Sequence, residues 1–181
     1  ADIYYNKVKD KILAVPRQNL FQWTMLNIGK VDIKGLDGTA LIKWKAWRQV
    51  ALTSRVSYAY QQARDKSDPS SSLYNKQIPY TPEHSGAAGI SLDYRNFTFS
   101  YNALLSSYRY RLGDQVPENL VKEWATQDIS IGYQLRTKQH HTYRFTGELN
   151  NIFNKQYEVI KFYPMPGFTY RIGIIAMFNQ S

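Results

Sequence analysis

The sequence contains no cysteine. That removes disulfide scaffolds, thiolate zinc sites and cysteine nucleophiles together. Long hydrophobic runs are missing too. No stretch approaches the roughly 18 uninterrupted apolar residues of a membrane-spanning helix, which excludes a helical membrane protein. Helical periodicity is scarce, histidine occurs three times, and Lys plus Arg outnumber Asp plus Glu by 23 to 14, for a net charge of +9. What the 181 residues have in excess is aromatic: 15 Tyr, 8 Phe and 4 Trp, more than a disordered chain carries. Yet the mean hydropathy is −0.50. The length suits one ordinary domain. Ala1–Tyr5 has neither a basic n-region nor an apolar h-region, so no targeting peptide is expected in this numbering. Either a leader has been removed or the chain is a piece of something longer.

The dominant period is two, the mark of strands with unlike faces. Phe97, Phe99, Tyr101, Ala103 and Leu105 alternate with Thr98, Ser100, Asn102 and Leu104. The same alternation runs through Ala88-Ile90-Leu92-Tyr94, Ile129-Ile131-Tyr133-Leu135, Tyr143-Phe145-Gly147-Leu149 and Phe168-Tyr170-Ile172-Ile174-Ala176-Phe178. On the interleaved face only Leu104, Ile175 and Met177 are large and apolar. The pattern predicts an all-β chain, an antiparallel up-and-down meander of about eight strands. They fall roughly over 1–8, 25–44, 48–62, 84–95, 96–110, 125–137, 141–153 and 167–178. Gly35 and Gly38 in the long second strand predict a bulge or a change of face. Pro117 to Ala125 opens with Pro-Glu-Asn-Leu and predicts a short helix.

The connections alternate between tight and long. Lys45-Ala46-Trp47, Arg95-Asn96 and Lys138-Gln139-His140 are tight, whereas Lys9–Thr24, Ala63–Glu83, Arg111–Trp124 and Asn154–Gly167 are long and carry the prolines. Short turns at one end and long loops at the other belong to an outer-membrane β-barrel. A soluble sandwich would bury the apolar face and has no reason to segregate its loops. The segments reach the roughly 9–11 residues that a tilted transmembrane strand needs. Trp44, Trp47, Tyr94 and Phe97 flank short turns, while Tyr58, Tyr60, Tyr108, Tyr110 and Phe153 lie toward the long loops, as two interfacial girdles would. Arg55, Asp93, Arg144, Glu148 and Arg171 fall on the interleaved face, which suits a wet lumen where charges keep their hydration. The expected wall is one residue thick, apolar toward lipid and polar toward the lumen.

Catalytic groups are sparse. His84 lies at a loop-to-strand junction and His140-His141 in a tight turn, with no Cys or spaced carboxylate to complete a metal site. His84 and Ser85 are neighbours and point to opposite faces of a strand, which defeats a Ser/His hydrolase. Asp32 to Gly38 lacks the bidentate Glu of a calcium loop, and Lys34 opposes a cation. No enzymatic activity, cofactor or metal is expected. Basic residues among tyrosines admit a second reading, a soluble β-domain that binds single-stranded nucleic acid. But Lys7, Lys9, Lys11 and Arg17 gather at the first loop, while Arg48, Arg95, Arg136 and Lys138 lie near short turns. No single basic stripe forms, so no nucleic-acid partner is expected. Basic turns beside anionic lipid headgroups are ordinary.

The final strand, Arg171-Ile172-Gly173-Ile174-Ile175-Ala176-Met177-Phe178, resembles the β-signal that bacterial assembly machinery recognises. Arg171, Gly173, Ala176 and Phe178 are its candidate residues, with the aromatic three residues before Ser181. Four other segments resemble TonB-dependent outer-membrane receptors, in that family's order. Asn27-Ile28-Gly29 to Gly35-Leu36-Asp37 is similar to their Asn-x-Gly-…-Gly-x-Glu/Asp strand. Ile78-Pro79-Tyr80-Thr81-Pro82-Glu83-His84 resembles the Pro-x-x-Pro stretch where a strand re-enters from outside. Asn150-Asn151-Ile152-Phe153-Asn154-Lys155-Gln156-Tyr157 resembles Asn-Leu-Phe-Asp-Lys-x-Tyr, and Tyr163-Pro164-Met165-Pro166-Gly167 resembles the Tyr-Pro-x-Pro-Gly before the closing strand.

The resemblance implies a barrel of about 22 strands with an N-terminal plug and a TonB box. Neither plug nor box is recognised here, so residues 1–181 are expected to be the C-terminal portion of an outer-membrane β-barrel. It also implies TonB-dependent uptake of a scarce ligand in the bacterial outer membrane. The implied partners are outer-membrane lipid, the rest of the barrel and plug, TonB through that plug, a small-molecule ligand and the barrel-assembly machinery. The Tyr-Pro-Met-Pro-Gly ending leans toward vitamin B12 or siderophore receptors of Bacteroidetes type rather than glycan importers. Phe21, Trp23, Tyr74, Tyr157 and Tyr163 are the candidate ligand contacts. The alternative is a complete small eight-stranded outer-membrane barrel with a structural or adhesive role. An isolated eight-strand sheet has open edges, so self-association of the chain is also expected.

Overall fold

The structure, a computed structural model, describes residues 1–16, 22–47, 49–137 and 141–178. In chain order its strands are β1 (Asp2–Val8), β2 (Ile12–Pro16), β3 (Trp23–Asn27), β4 (Val31–Trp47), β5 (Val50–Asp65), β6 (His84–Tyr94) and β7 (Phe97–Ser106). They continue with β8 (Arg109–Tyr110), β9 (Leu120–Val121), β10 (Trp124–Arg136), β11 (Thr142–Asn150), β12 (Glu158–Ile160), β13 (Tyr163–Pro164) and β14 (Thr169–Met177). Eight of them form one antiparallel sheet in the order β1-β4-β5-β6-β7-β10-β11-β14. The remaining six make three small hairpins, β2–β3, β8–β9 and β12–β13, each inside a long connection. Among the described residues β1 and β14 are open edges.

Register carries the alternation of the sequence across the whole sheet. Leu52, Leu92, Phe99, Ile131, Gly147 and Ile172 stand in one row, while Thr53, Ser91, Ser100, Ser130, Glu148 and Arg171 stand in the adjacent one. A slip of one residue in any strand would exchange the faces. Among the described residues nothing covers the apolar face: Ile131 is 54% exposed and Ile172 78%. The buried apolar residues among those described are Val15, Val31, Ala63, Ile78 and Val121, all at the long-loop end. A sandwich would have filled the space behind Phe99 and Ile131. Here the apolar face stays exposed. The polar face is the hollow one, with a cavity of about 350 Å³ lined by Arg55, Ser91, Ser100, Asn102 and Ser130 among others.

Charges on the hollow face find polar partners. Arg171 donates twice to Glu148 (2.6 and 2.9 Å), Thr98 donates to Asp93 (2.7 Å), and Arg144 donates to Gln134 (3.4 Å). At the tight-turn end Phe97 packs on Tyr133 (4.6 Å between centroids), and Phe178 meets Tyr143 and His141 edge-on. At the other end Tyr58 and Tyr60 flank His84, whose Nδ1 lies 2.7 Å from the Tyr58 hydroxyl. Of the candidate assembly residues, Arg171 and Gly173 face the hollow and Ala176 and Phe178 the apolar side.

Four expectations need correction. The stretch 25–44 is not one strand. Gly29 turns the chain at φ 70, with its N–H bonded to the Asn27 side chain (2.8 Å), so β3 leaves the sheet before β4 begins. No bulge occurs at Gly35 or Gly38; the register is regular from Val31 to Lys45 and shifts only between Lys45 and Trp47. Gly35 is required for another reason: a Cβ there would run into the Tyr4 ring and sit 2.6 Å from the Tyr60 carbonyl oxygen. The predicted helix is a single 3-10 turn at Pro117–Asn119, because Trp124 already opens β10. The first tight turn follows Trp47, which pairs with Val50, instead of occupying Lys45-Ala46-Trp47. Arg17, Phe21, Arg48, Lys138, Gln139 and His140 lie outside the described residues.

Candidate functional site

All four long connections leave the same end of the sheet, after β1, β5, β7 and β11. The first folds back as the β2–β3 hairpin, closed by Ile28 N–H to Lys11 O (2.8 Å) and Lys11 N–H to Gly29 O (3.1 Å). The second runs along β5 where β6 has ended. Ile78 N–H bonds Ala63 O (2.9 Å) and Asp65 N–H bonds Lys76 O (3.0 Å). Buried Gln77 completes that edge: its oxygen accepts from Ala63 N–H (2.9 Å), and its amide donates to the Gln61 and Thr81 carbonyls (3.2 Å each). Ile78 thereby packs on Val31 and Ala63, with Leu13, Ile28 and Ile33 against them. By register Val31, Ile33 and Ala63 belong to the hollow side of the sheet. Loops one and two therefore fold inward over the lumen mouth.

Loops three and four are joined by cations. Arg109, 5% exposed, donates from Nη2 to the Val159 carbonyl (2.5 Å) and the Glu158 carbonyl (3.3 Å), and from Nη1 to Ser106 Oγ (3.4 Å). Lys161 Nζ returns the link by donating to the Leu120 carbonyl (2.7 Å). Arg111 and Lys161 both lie over the Phe162 ring, at 5.7 and 5.5 Å. Loop two joins them through Tyr80 N–H to Tyr110 O (2.8 Å). The Tyr80 hydroxyl is shut off from water, with no partner in bonding geometry among the described residues. That burial pushes its pKa up, against the opposing pull of the Lys161 backbone amide and of Arg111 and Arg109. Burial likewise lowers the pKa of Arg109.

The fourth loop is shaped by its asparagines. Asn151, buried at φ 50, donates to the Lys155 and Pro166 carbonyls (2.9 and 3.2 Å) and accepts from Lys155 N–H (2.8 Å). Its own N–H donates to Asp128 (2.7 Å), and Asn154 accepts from Phe168 N–H (3.0 Å). The Asn-Asn-Ile-Phe-Asn run thus sets both ends of the loop.

The four described candidate ligand aromatics sit on three loops. Trp23 is half-exposed on β3, and Tyr74 lies under Lys66 Nζ (4.8 Å) in loop two. Tyr163 is in β13, and Tyr157 packs at a tilt against Trp124 (4.8 Å between centroids), with its pKa raised by burial and by Asp128. Phe21 lies outside the described residues. Sequence reading missed Arg109, Arg111, Lys161, Tyr80 and Trp124. The first two were signalled by Tyr108-Arg109-Tyr110-Arg111, where period two continues past the strand with cations at the odd positions that are apolar from Phe97 to Leu105. The mouth offers aromatic faces, cations and backbone groups, which bind molecules without altering them. No cluster of three metal-ligating side chains occurs among the described residues.

The same sheet recurs in solved structures. The ferric preacinetobactin receptor BauA from Acinetobacter baumannii superposes with a TM-score of 0.65 at 14% identity, over 94% of this chain and 25% of that one. The copper transporter OprC gives 0.70 at 14% identity, over 97% and 29%. The ferric yersiniabactin uptake receptor FyuA from Yersinia pestis gives 0.63 at 18%, over 97% and 27%. The chain thus spans between a quarter and a third of the length of these proteins, and the likeness is one of fold. Comparison with curated proteins finds no match. The family model described as TonB dependent receptor-like, beta-barrel, matches residues 1–152. With that match over most of its length, the chain belongs to the TonB-dependent receptor β-barrel family, whose members are outer-membrane transport receptors and not enzymes.

Proposed function

We propose that residues 1–181 form the C-terminal portion of an outer-membrane receptor barrel that takes up a scarce ligand, with TonB acting through a plug domain supplied elsewhere in the receptor. The observation that carries this reading is the open sheet. Its apolar face suits lipid, yet among the described residues the outer edges of β1 and β14 have no partner strand. Unsatisfied edges cost several kcal/mol per group in hydrocarbon, so such a sheet needs further strands to close. The small complete barrel fits less well, because β1 and β14 would have to pair with each other.

Within this reading the ligand is vitamin B12, an iron-siderophore or a similar scarce molecule, and the Tyr163-Pro164-Met165-Pro166-Gly167 ending favours a Bacteroidetes-type receptor. Trp23, Tyr74, Tyr157 and Tyr163, with Phe21, are the proposed loop contacts. Arg171, Gly173, Ala176 and Phe178 are the proposed assembly signal. The test is uptake of labelled cobalamin and ferric siderophores by cells carrying the receptor, with and without a collapsed proton-motive force. Uptake of one ligand that stops on collapse is expected; uptake that persists would refute energy coupling. Unchanged binding by Trp23→Ala and Tyr157→Ala receptors would remove those two from the contact set.

A further inference from the structure

We propose that the outward face of the β1–β4–β5 extension docks the phosphorylated sugar headgroup of an outer-leaflet glycolipid. Where β6 begins, His84 stands opposite Tyr60, but β5 continues to Asp65. Roughly 15 Å of sheet therefore projects beyond the interfacial row of Tyr58, Tyr60 and His84. Loops one and two cover its inner side, and its outer side is open.

Register sorts that outer side by height. Ile3, Leu36 and Tyr60 share one row, Tyr5, Lys34 and Gln62 the next, and Lys7, Asp32 and Arg64 the third. Above them Lys30 and Lys66 lie side by side, with Lys66 N–H donating to the Lys30 carbonyl (2.8 Å). The chemistry passes from apolar to cationic over a few rows, as the boundary between acyl chains and headgroups does. Five cations share this surface with one strand carboxylate, Asp32, which accepts from the Tyr5 hydroxyl (3.1 Å). Arg64 is paired with Glu83 (2.8 Å), but Lys7, Lys30 and Lys34 have no ion-pair partner among the described residues. Lys66 turns its ammonium to Asn75 Oδ1 (2.8 Å) and the Tyr74 ring, which leaves Lys7, Lys30 and Lys34, among the described residues, to meet a phosphate. Continuity with the lipid-facing Ile3 and Leu36 selects a membrane-anchored phosphate over a soluble one.

The inference rests on the outer-membrane reading but not on which ligand is imported. It is tested on the full receptor in phosphatidylcholine nanodiscs doped with bisphosphorylated lipid A or with its dephosphorylated form. Retained lipid is counted by native mass spectrometry. The phosphorylated form is expected to bind at least tenfold more tightly. Lys7→Gln/Lys30→Gln/Lys34→Gln should weaken it by about fivefold per charge removed. Arg95→Gln/Arg136→Gln, at the opposite end of the strands, should not. Unheated gel migration confirms that each variant keeps its barrel. Equal binding of the two lipids, an unaffected triple variant, an equal loss in the far-end variant, or displacement by inorganic phosphate at matched concentration would each overturn the proposal. Failure here with energy-coupled uptake intact sinks only this inference. Uptake that ignores the proton-motive force sinks the transport reading instead.

Discussion

Tyr80 concentrates the physical chemistry of the loop end at one residue. Its hydroxyl is buried beside Arg109 and Arg111, and its pKa is raised by desolvation. A tyrosine that is harder to ionise when folded adds stability that is complete below about pH 10, where the unfolded chain keeps its proton too. That stability is lost as pH rises and the unfolded chain ionises first. Loop protection from proteolysis is therefore expected to be flat through neutral pH and to fall above about pH 10, and Tyr80→Phe should flatten that fall. Gly35 is constrained by contact. Gly35→Val would force the Tyr4 ring and the Tyr60 carbonyl apart, at about 1–3 kcal/mol, seen as a lower midpoint of heat-induced unfolding in detergent. Asn151→Ala removes a buried side chain that holds Lys155 and Pro166, and about 1–3 kcal/mol is expected there as well.

Beyond the strand ladders, the third and fourth loops are held by side chains reaching backbone carbonyls. Arg109 ties the end of β7 to β12, so Arg109→Met should release loop four while leaving the sheet intact. Limited proteolysis would show faster cleavage near residues 155–165 with unchanged gel migration; equal cleavage would mean that Lys161 and the Asn151 network suffice. The Glu148–Arg171 pair between β11 and β14 is a weaker tie. Arg171 is 74% exposed in its side chain, and breaking such a pair typically costs under about 1 kcal/mol. The strands themselves were legible as elements because alternation is local. The fate of Trp23–Asn27 was not, since Gly29 redirects the chain through a positive φ that the apolar pattern does not record. Nor was the Arg109 clamp, whose carbonyl acceptors lie about 50 residues along the chain.

At the level of the molecule, the two faces make opposite demands on adjacent residues. Ile131 and Ser130 are neighbours in β10, but one lies on the exposed apolar face and the other on the hollow one. Ile131→Arg should cost about 2–4 kcal/mol near the bilayer midplane, whereas Ser130→Arg should be tolerated in a wet lumen. Yield of folded barrel in outer-membrane fractions measures both. Equal tolerance would mean that the apolar face is covered by something other than lipid. The open β1 and β14 edges make a further demand at this scale: the sheet expressed alone should self-associate, as light scattering in detergent would show.

The sequence by itself determined the strands, their two faces and the segregation of long from short connections, because each depends on residues a few positions apart and on the period-two geometry of an extended chain. It also carried the asparagine, glycine and proline patterns of the family, though not their cause. Only the tertiary structure decided that Tyr4 lies across Gly35, that Gln77 stands in for a missing strand and that Arg109 binds the third loop to the fourth. Those contacts join segments far apart in the chain. They arise from register and loop closure, which no local pattern encodes.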